Sequence, residues 1–118
     1  MTLNHLNLTV TDAAETAAFL EKYFGLRQMP GAEPKKTFAI LLDDNGLALT
    51  LIRADRSAEV TYPPTFHIGF AQESEARVNE INQRLKKDGY DVPPPARLHG
   101  SWTFYFTAPG GFTIEVLA

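Results

Sequence analysis

Residues 3–10 read Leu-Asn-His-Leu-Asn-Leu-Thr-Val, and residues 65–71 read Thr-Phe-His-Ile-Gly-Phe-Ala. In both stretches large apolar residues alternate with polar or small ones, which is the pattern of a β-strand with one buried face. Each strand carries one histidine, His5 or His67, on the face opposite its large apolar side chains. The two halves also end alike, as Asn-Gly-Leu-Ala-Leu-Thr-Leu-Ile at 45–52 and Gly-Gly-Phe-Thr-Ile-Glu-Val-Leu at 110–117. We therefore interpret the chain as a duplicated unit.

The first half predicts a strand, a helix and two or three further strands. Asp12 is placed to cap the helix, and Gly25 is placed to end it in the left-handed conformation. Two apolar stretches, Phe38–Leu42 and Leu47–Ile52, then flank residues 44–46, Asp-Asn-Gly, which form a three-residue hairpin loop with glycine at the left-handed position.

The second half repeats this order. Ser74 is placed to cap a helix that Gly89 ends, and strands follow at Thr103–Thr107 and Phe112–Leu117. Residues Ala58–Pro64 are the predicted linker between the halves.

The bulk properties exclude several classes of protein. At 118 residues the chain has the size of one domain with a sizeable core. A net charge of -3 and a pI near 5.5 argue against nucleic-acid binding. No apolar run approaches the ~20 residues that span a bilayer, and the N-terminus has no signal-peptide pattern. Because there is no cysteine, disulfides and thiolate ligands are excluded. We expect a cytoplasmic protein that binds neither nucleic acid nor membrane.

A turn at Pro109–Gly111 determines which side chains of the last two strands share a face. Large apolar residues on both sides of the turn then pack on the helix, and Glu115 and Tyr105 lie on the opposite face. His5 and His67 oppose the apolar side of their own strands in the same way, so all three candidate ligands project from the same side of a sheet. On that side of the first half the same reasoning places Phe38, Ile40, Leu42 and Thr50. This surface predicts a cup with polar groups at its base and apolar walls.

Two imidazoles and one carboxylate at matched positions predict a metal site. His5, His67 and Glu115 suit Zn²⁺, Mn²⁺, Ni²⁺, Fe²⁺ or Co²⁺ and leave positions open for water or substrate. The alternative is that Glu115 is solvent-exposed at a sheet end and that both histidines only donate hydrogen bonds. The matched positions and the shared face favour the metal site.

Four stretches in this order resemble a known superfamily. They are His-Leu-Asn-Leu-Thr-Val at 5–10, Tyr-Phe-Gly-Leu at 23–26, Phe-His-Ile at 66–68 and Phe-Tyr-Phe-Thr-Ala-Pro-Gly-Gly-Phe-Thr-Ile-Glu at 104–115. The resemblance is to the vicinal-oxygen-chelate superfamily and covers nearly the whole chain. This superfamily includes glyoxalase I, fosfomycin-resistance thiol transferases, methylmalonyl-CoA epimerase, extradiol dioxygenases and bleomycin-binding proteins.

The resemblance implies a single α+β domain over residues 1–118, built from two βαβββ modules at about 1–57 and 65–118. The modules would form a cup-shaped mixed sheet with the helices on its outer face. A homodimer usually completes this fold, and metal ligands often come from both subunits. His5 would then meet His67 and Glu115 of a second copy.

Departures from the family pattern reduce the number of candidate functions within the superfamily. Glyoxalase I typically has a fourth protein ligand where this chain has Thr50, and threonine is a poor ligand. Extradiol dioxygenases generally have four modules and longer chains. The fosfomycin-resistance enzymes match the three-ligand pattern and the size. They need a cationic pocket for a phosphonate, however, and commonly carry basic residues beyond the final glutamate, whereas this sequence stops at Ala118. Metal-free drug-binding members usually lack the ligand set.

Several further side chains are candidate substrate contacts. Arg97 or His99 would bind an anionic group, with Arg53 as a further basic candidate, and Trp102 would cover an apolar part of the substrate. The alternative is an ordinary surface loop that Trp102 anchors to the core. Tyr105 is placed to polarise a substrate oxygen. The other candidate contacts, which share the histidine face, are Asn7, Thr9, Phe38, Ile40 and Thr50.

The sequence therefore favours a metal-dependent enzyme that acts on a small oxygenated metabolite or antibiotic by lyase, isomerase or thiol-transferase chemistry. Glu115 and Tyr105 are its candidate catalytic residues. The alternative is a metal-independent dimeric protein, of the bleomycin-resistance type, that binds a drug or metabolite. A third hypothesis is a homologue that keeps the ligands without catalysis.

Overall fold

The computed structural model of the chain describes residues 1–55 and 59–118. A strand, a helix and three strands follow one another, and this order occurs twice. The first set comprises β1 (His5–Val10), α1 (Ala13–Phe24), β2 (Arg27–Gln28), β3 (Phe38–Leu42) and β4 (Ala48–Arg53). The second set comprises β5 (His67–Ala71), α2 (Glu75–Lys87), β6 (Ala96–Leu98), β7 (Ser101–Thr107) and β8 (Thr113–Leu117). The predicted α+β class with two βαβββ modules is confirmed.

Each set forms its own four-stranded mixed sheet. The strand order is β1-β4-β3-β2 in the first sheet and β5-β8-β7-β6 in the second. β1 is parallel to β4, and β5 is parallel to β8, whereas the other neighbours are antiparallel. The sequence left two or three strands open after each helix because β2 and β6 are too short to show alternation.

The chain divides into two compact units. The first comprises Met1–Tyr62 together with Pro109–Gly111, and the second comprises Pro63–Ala108 together with Phe112–Ala118. The first residue of the predicted linker Ala58–Pro64 lies outside the described ranges. The predicted end of the first module, at residue 57, lies outside them too.

The turn at 109–111 belongs to the first unit because it packs near the start of α1. The Pro109 carbonyl accepts a hydrogen bond of 3.4 Å from the Thr16 hydroxyl. Gly110 has a φ of 105°, and a Cβ added there would lie 2.8 Å from Thr16 Oγ1 and 3.0 Å from Val10 Cγ1. Only glycine therefore fits this point of the turn.

Strand alternation determines the two cores, as the sequence predicted. In each unit the helix packs on one face of its sheet. The buried strand residues of the first unit are Leu8, Val10, Ala39, Leu41, Leu49 and Leu51. Those of the second unit include Phe104, Phe106, Ile114 and Val116, against Val78, Ile81 and Leu85 of α2. The opposite face of each sheet carries the polar candidates.

The helix caps match the sequence predictions. The Asp12 side chain accepts a hydrogen bond from the Glu15 N–H at 2.9 Å, and the Ser74 hydroxyl accepts one from the Arg77 N–H at 3.2 Å. Gly25 ends α1 with a φ of 69°. In the described ranges, neither helix has the length and apolar character to cross a membrane.

Candidate metal centre

The second sheet arranges the candidate ligands in rows across its strands. β5 and β8 pair in parallel so that His67 lies beside Thr113 and Gly69 lies beside Glu115. β8 and β7 pair so that Glu115 also lies beside Tyr105. Because side chains alternate along strands, His67, Glu115 and Tyr105 all project from the face opposite α2. The predicted parity is confirmed for these three residues.

His67 and Glu115 face one another across this surface. His67 Nε2 lies 3.4 Å from Glu115 Oε2. On the other side of the ring, His67 Nδ1 lies 3.0 Å from the Thr65 carbonyl oxygen. Since a carbonyl only accepts hydrogen bonds, Nδ1 carries the proton and donates it. In the neutral imidazole, Nε2 then presents its lone pair to the Glu115 carboxylate.

Glu115 is held at its other oxygen. The Thr103 hydroxyl lies 3.0 Å from Glu115 Oε1 and 2.9 Å from the Val116 carbonyl oxygen, and it can donate to either. Tyr105 also forms a side-chain hydrogen bond with Glu115. The Glu115 side chain is only 14% exposed, so these partners restrict its rotation. Oε2 remains the oxygen directed at His67.

The Glu115 carboxylate further stabilises the protonated form of the Tyr105 hydroxyl. The hydrogen bond to Glu115 raises the pKa of Tyr105 above its ordinary value, and burial and the negative charge of Glu115 add to the increase. The rings of His67 and Tyr105 meet edge to face, with centroids 5.4 Å apart. At neutral pH Tyr105 is therefore a hydrogen-bond donor and not a base.

The donor set of the second unit fits a divalent ion. Two electron-rich atoms 3.4 Å apart repel one another unless a proton or a cation lies between them. Ligand bonds of roughly 2.0–2.1 Å at a near-tetrahedral angle separate imidazole nitrogen and carboxylate oxygen by about that distance. A hydrogen-bonded Nδ1 is also the usual arrangement behind a metal-ligating imidazole. In residues 1–55 and 59–118, no three His, Asp or Glu side chains form a metal-holding group.

The first unit carries the third candidate ligand on the equivalent face. His5, Asn7 and Thr9 are exposed, whereas Leu8 and Val10 on the other face of β1 are buried. His5 Nδ1 lies 3.0 Å from the Asn4 side-chain oxygen. The other ring nitrogen of His5, Nε2, is therefore directed away from Asn4.

Strand register identifies the residue that corresponds to Glu115 in the first unit. Asn7, two residues after His5, pairs with Thr50, just as Gly69, two residues after His67, pairs with Glu115. Thr50 therefore takes the place of the carboxylate, as the sequence alignment predicted. Ile40 pairs with Thr50 and takes the place of Tyr105.

Apolar side chains complete this face of the first sheet. Phe38 pairs with Ile52 between β3 and β4, and each is 41% exposed. Leu42 pairs with Ala48 on the row of His5. The apolar side chains that the sequence placed on this face therefore lie there in the first unit.

The structure does not bring Arg97 and Trp102 to the Glu115 face. They pair with one another between β6 and β7 and project toward α2, where Arg97 binds Glu75 and the Trp102 indole N–H donates to Asn79 at 2.8 Å. Trp102 thus anchors the edge of the sheet to α2, which is the alternative that the sequence left open. They face α2 because Trp102 belongs to β7 with the parity of Phe104 and Phe106, and Arg97 pairs with Trp102.

The other two basic candidates also lie away from the predicted ligands of their own units. His99 occupies the turn between β6 and β7 with a φ of 50° and is exposed. Arg53 shares strand parity with Leu49 and Leu51 of β4, which face α1. In the described strands, the face with His5 carries one cation, Arg27, and its guanidinium is bound to Asp44 at 2.9 Å.

The architecture has known relatives. The family model of the Glyoxalase/Bleomycin resistance protein/Dioxygenase superfamily matches residues 2–116. The chain belongs to this superfamily. A possible glyoxalase from Bacillus cereus is similar over 100% of this chain and 99% of its own, with 52% identity and a TM-score of 0.88.

More distant superfamily structures share the fold. The genomically encoded fosfomycin resistance protein FosX from Listeria monocytogenes has 28% identity and a TM-score of 0.74, over 100% of this chain and 93% of its own. Lactoylglutathione lyase from Agrobacterium tumefaciens has 20% identity and a TM-score of 0.74, over 98% of this chain and 92% of its own. No curated protein matches the chain. Members of the superfamily commonly use divalent metals and are typically dimers that act on small molecules.

Sequence reasoning missed three residues that support the candidate site. Thr103 holds Glu115, and the carbonyl of Thr65 and the side chain of Asn4 orient the two histidines. Thr103 shares its strand parity with Tyr105, so its place on the Glu115 face was available from the sequence. Its hydrogen bond depends on the β7–β8 register, which alternation alone does not give.

Replacing Glu115 by Gln should lower the pKa of Tyr105. The substitution removes the negative charge and weakens the hydrogen bond that favours the neutral phenol, so the pKa should fall toward its ordinary value near 10.0. Titration of the phenolate absorbance, with Tyr105→Phe to assign the signal, measures the change.

Tyr62 provides the internal control for that titration. Burial raises the pKa of Tyr62, and its hydroxyl donates to the Thr9 carbonyl, without any contribution from Glu115. The pKa of Tyr62 should therefore stay unchanged in Glu115→Gln. An unchanged Tyr105 pKa in the same variant would contradict the hydrogen bond between Tyr105 and Glu115.

Proposed function

We propose that the protein is a divalent-metal-dependent enzyme that acts on a small oxygenated metabolite or antibiotic. His67 and Glu115 would hold the ion together with His5. The opposed His67 Nε2 and Glu115 Oε2, 3.4 Å apart and each fixed from behind, are the observation that carries this proposal. Lyase, isomerase and thiol-transferase reactions are all compatible with such a site.

The proposed roles follow from the chemistry of each side chain. A bound divalent ion supplies Lewis-acid polarisation of two neighbouring substrate oxygens. The Thr103 hydroxyl keeps Glu115 Oε1 in place, and the Thr65 carbonyl keeps the His67 ring oriented. The Tyr105 hydroxyl donates its single proton to Glu115, so it would polarise a substrate oxygen by exchanging this hydrogen bond for one to the substrate. Asn7 and Thr9 provide further polar contacts on the His5 face.

The proposal takes His5 from a second copy of the chain. Two points support this. Members of the superfamily are typically dimers, and the sequence resemblance implies that metal ligands often come from both subunits. Thr50 in place of a carboxylate leaves three protein ligands instead of four, so positions on the ion remain open for substrate.

A metal-independent binding protein is the second candidate. Its support is the adjacent pair Phe38 and Ile52, each 41% exposed on the His5 face, which offers an apolar surface to a drug or metabolite. A binding protein of this kind would need no ion. The two proposals therefore differ in metal content.

Metal analysis of protein purified without chelator or His-tag should find one divalent ion per chain. His67→Ala should abolish uptake because it removes a ligand. Thr103→Val should weaken affinity about 10- to 100-fold because it frees the carboxylate that Thr103 restrains. His99→Ala is the matched control and should bind metal as the wild type does. No uptake by the wild type from Mn²⁺, Ni²⁺ or Zn²⁺ would favour the binding protein.

Mixed dimers should show whether the ligands come from two chains. His5→Ala and Glu115→Gln, each metal-free alone, should regain about a quarter of the wild-type metal after refolding together. The reason is that random pairing makes half of the dimers mixed, and each mixed dimer has one intact shared site.

The control for the mixed dimers is His67→Ala refolded with Glu115→Gln. These two ligands come from the same sheet, so no mixed dimer contains an intact pair and metal uptake should stay absent. If His5→Ala with Glu115→Gln also binds none, or the wild type is a monomer by light scattering, a site shared between chains is wrong.

A further inference from the structure

Gly69 is the residue of β5 that lies directly beside Glu115. On this face of the strand its neighbours are His67 and Ala71. Glycine in a strand interior weakens the strand, and it often marks a point where a ligand or another backbone approaches closely. The surroundings of Gly69 show whether the fold itself requires a glycine at this position or whether a bound ligand would require it.

The second unit has room for a side chain at this position. A Cβ added to Gly69 would lie 3.5 Å from Leu117 Cδ2 and 3.7 Å from Glu115 Oε2, which are ordinary van der Waals distances. The backbone of Gly69 is outside the left-handed region that favours glycine. Alanine therefore fits there without moving Glu115 or straining the strand.

The first unit has a side chain at the equivalent position. Asn7 holds the same place relative to His5 and Thr50 that Gly69 holds relative to His67 and Glu115. The duplicated scaffold thus tolerates a side chain at this point. The position lacks a side chain only in the second unit, where Gly69 lies beside Glu115.

The two oxygens of Glu115 differ in their surroundings. Oε1 lies at the Thr103 hydroxyl, whereas Oε2 faces His67 Nε2 and the space above Gly69. With Nδ1 of His67 bound to the Thr65 carbonyl, this space is bordered by two acceptor atoms and by the Leu117 side chain. If a cation lies between these two acceptors, the space suits a small group whose oxygen approaches flat against β5.

We propose that Gly69 is a specificity-determining residue, whose missing side chain admits the oxygen-bearing end of the substrate beside Glu115 Oε2. The inference rests on the proposed metal-dependent function, because His67 and Glu115 are its ligands. It predicts that a single methyl group at position 69 obstructs the substrate while the ligands stay in place.

The test compares metal-loaded Gly69→Ala with the metal-loaded wild type. The probe is acetohydroxamic acid, which carries oxygens on two neighbouring atoms. Its affinity, measured by calorimetry, should fall at least tenfold. Metal stoichiometry should match the wild type. The thermal unfolding midpoint of the metal-free variant should equal or exceed that of the wild type, because alanine at a compatible position restricts the unfolded chain.

Ala71→Val is the matched control. It adds side-chain bulk to the same strand and face, about 7 Å farther along, and should leave probe affinity within twofold of the wild type. Benzohydroxamic acid, which is bulkier, should lose more affinity than acetohydroxamic acid in Gly69→Ala.

Each contrary result has a distinct meaning. Equal probe affinity in Gly69→Ala and the wild type would overturn the role of Gly69 while leaving the metal site intact. Loss of metal from Gly69→Ala would also overturn it, since the space would then serve a protein ligand. A wild type that takes up no metal would contradict the proposed function and the inference together.

Discussion

In each unit the strand that carries the histidine runs parallel to the last strand, and the register of this pairing controls what meets on the open face. Two residues beyond the histidine, the chain pairs with Thr50 in the first unit and with Glu115 in the second. A slip of one residue would turn Glu115 into the apolar core and expose Ile114 or Val116. Burial of those neighbours against α2 therefore also holds the carboxylate beside His67.

The two units use one scaffold for different surfaces. Glu115, Tyr105 and Thr103 form a hydrogen-bonded group in the second unit, where the register of the first has Thr50, Ile40 and Phe38. The histidine is common to both. A duplicated framework thus presents a polar, ligand-like surface in one unit and an apolar surface in the other.

Much of this arrangement could be predicted from the sequence because strand alternation has a period of two. Buried leucines and phenylalanines on one face oblige His5, His67 and Glu115 to occupy the other. The sequence did not indicate that Arg97 and Trp102 face α2, because β6 has three residues and the start of β7 carries little alternation. The hydrogen bond from Thr103 to Glu115 and the open space at Gly69 depend on distances of a few ångströms. The alternation of apolar and polar residues does not encode such distances.

The central claim is that one divalent ion binds between His67 Nε2 and Glu115 Oε2. Anomalous diffraction from crystals of the protein loaded with Mn²⁺ tests it most directly. We expect one peak per chain, about 2.0–2.2 Å from both atoms, with Nε2 of a second chain's His5 as a further ligand. A well-occupied peak at another place, or no peak beside His67 and Glu115 in loaded crystals, would contradict it.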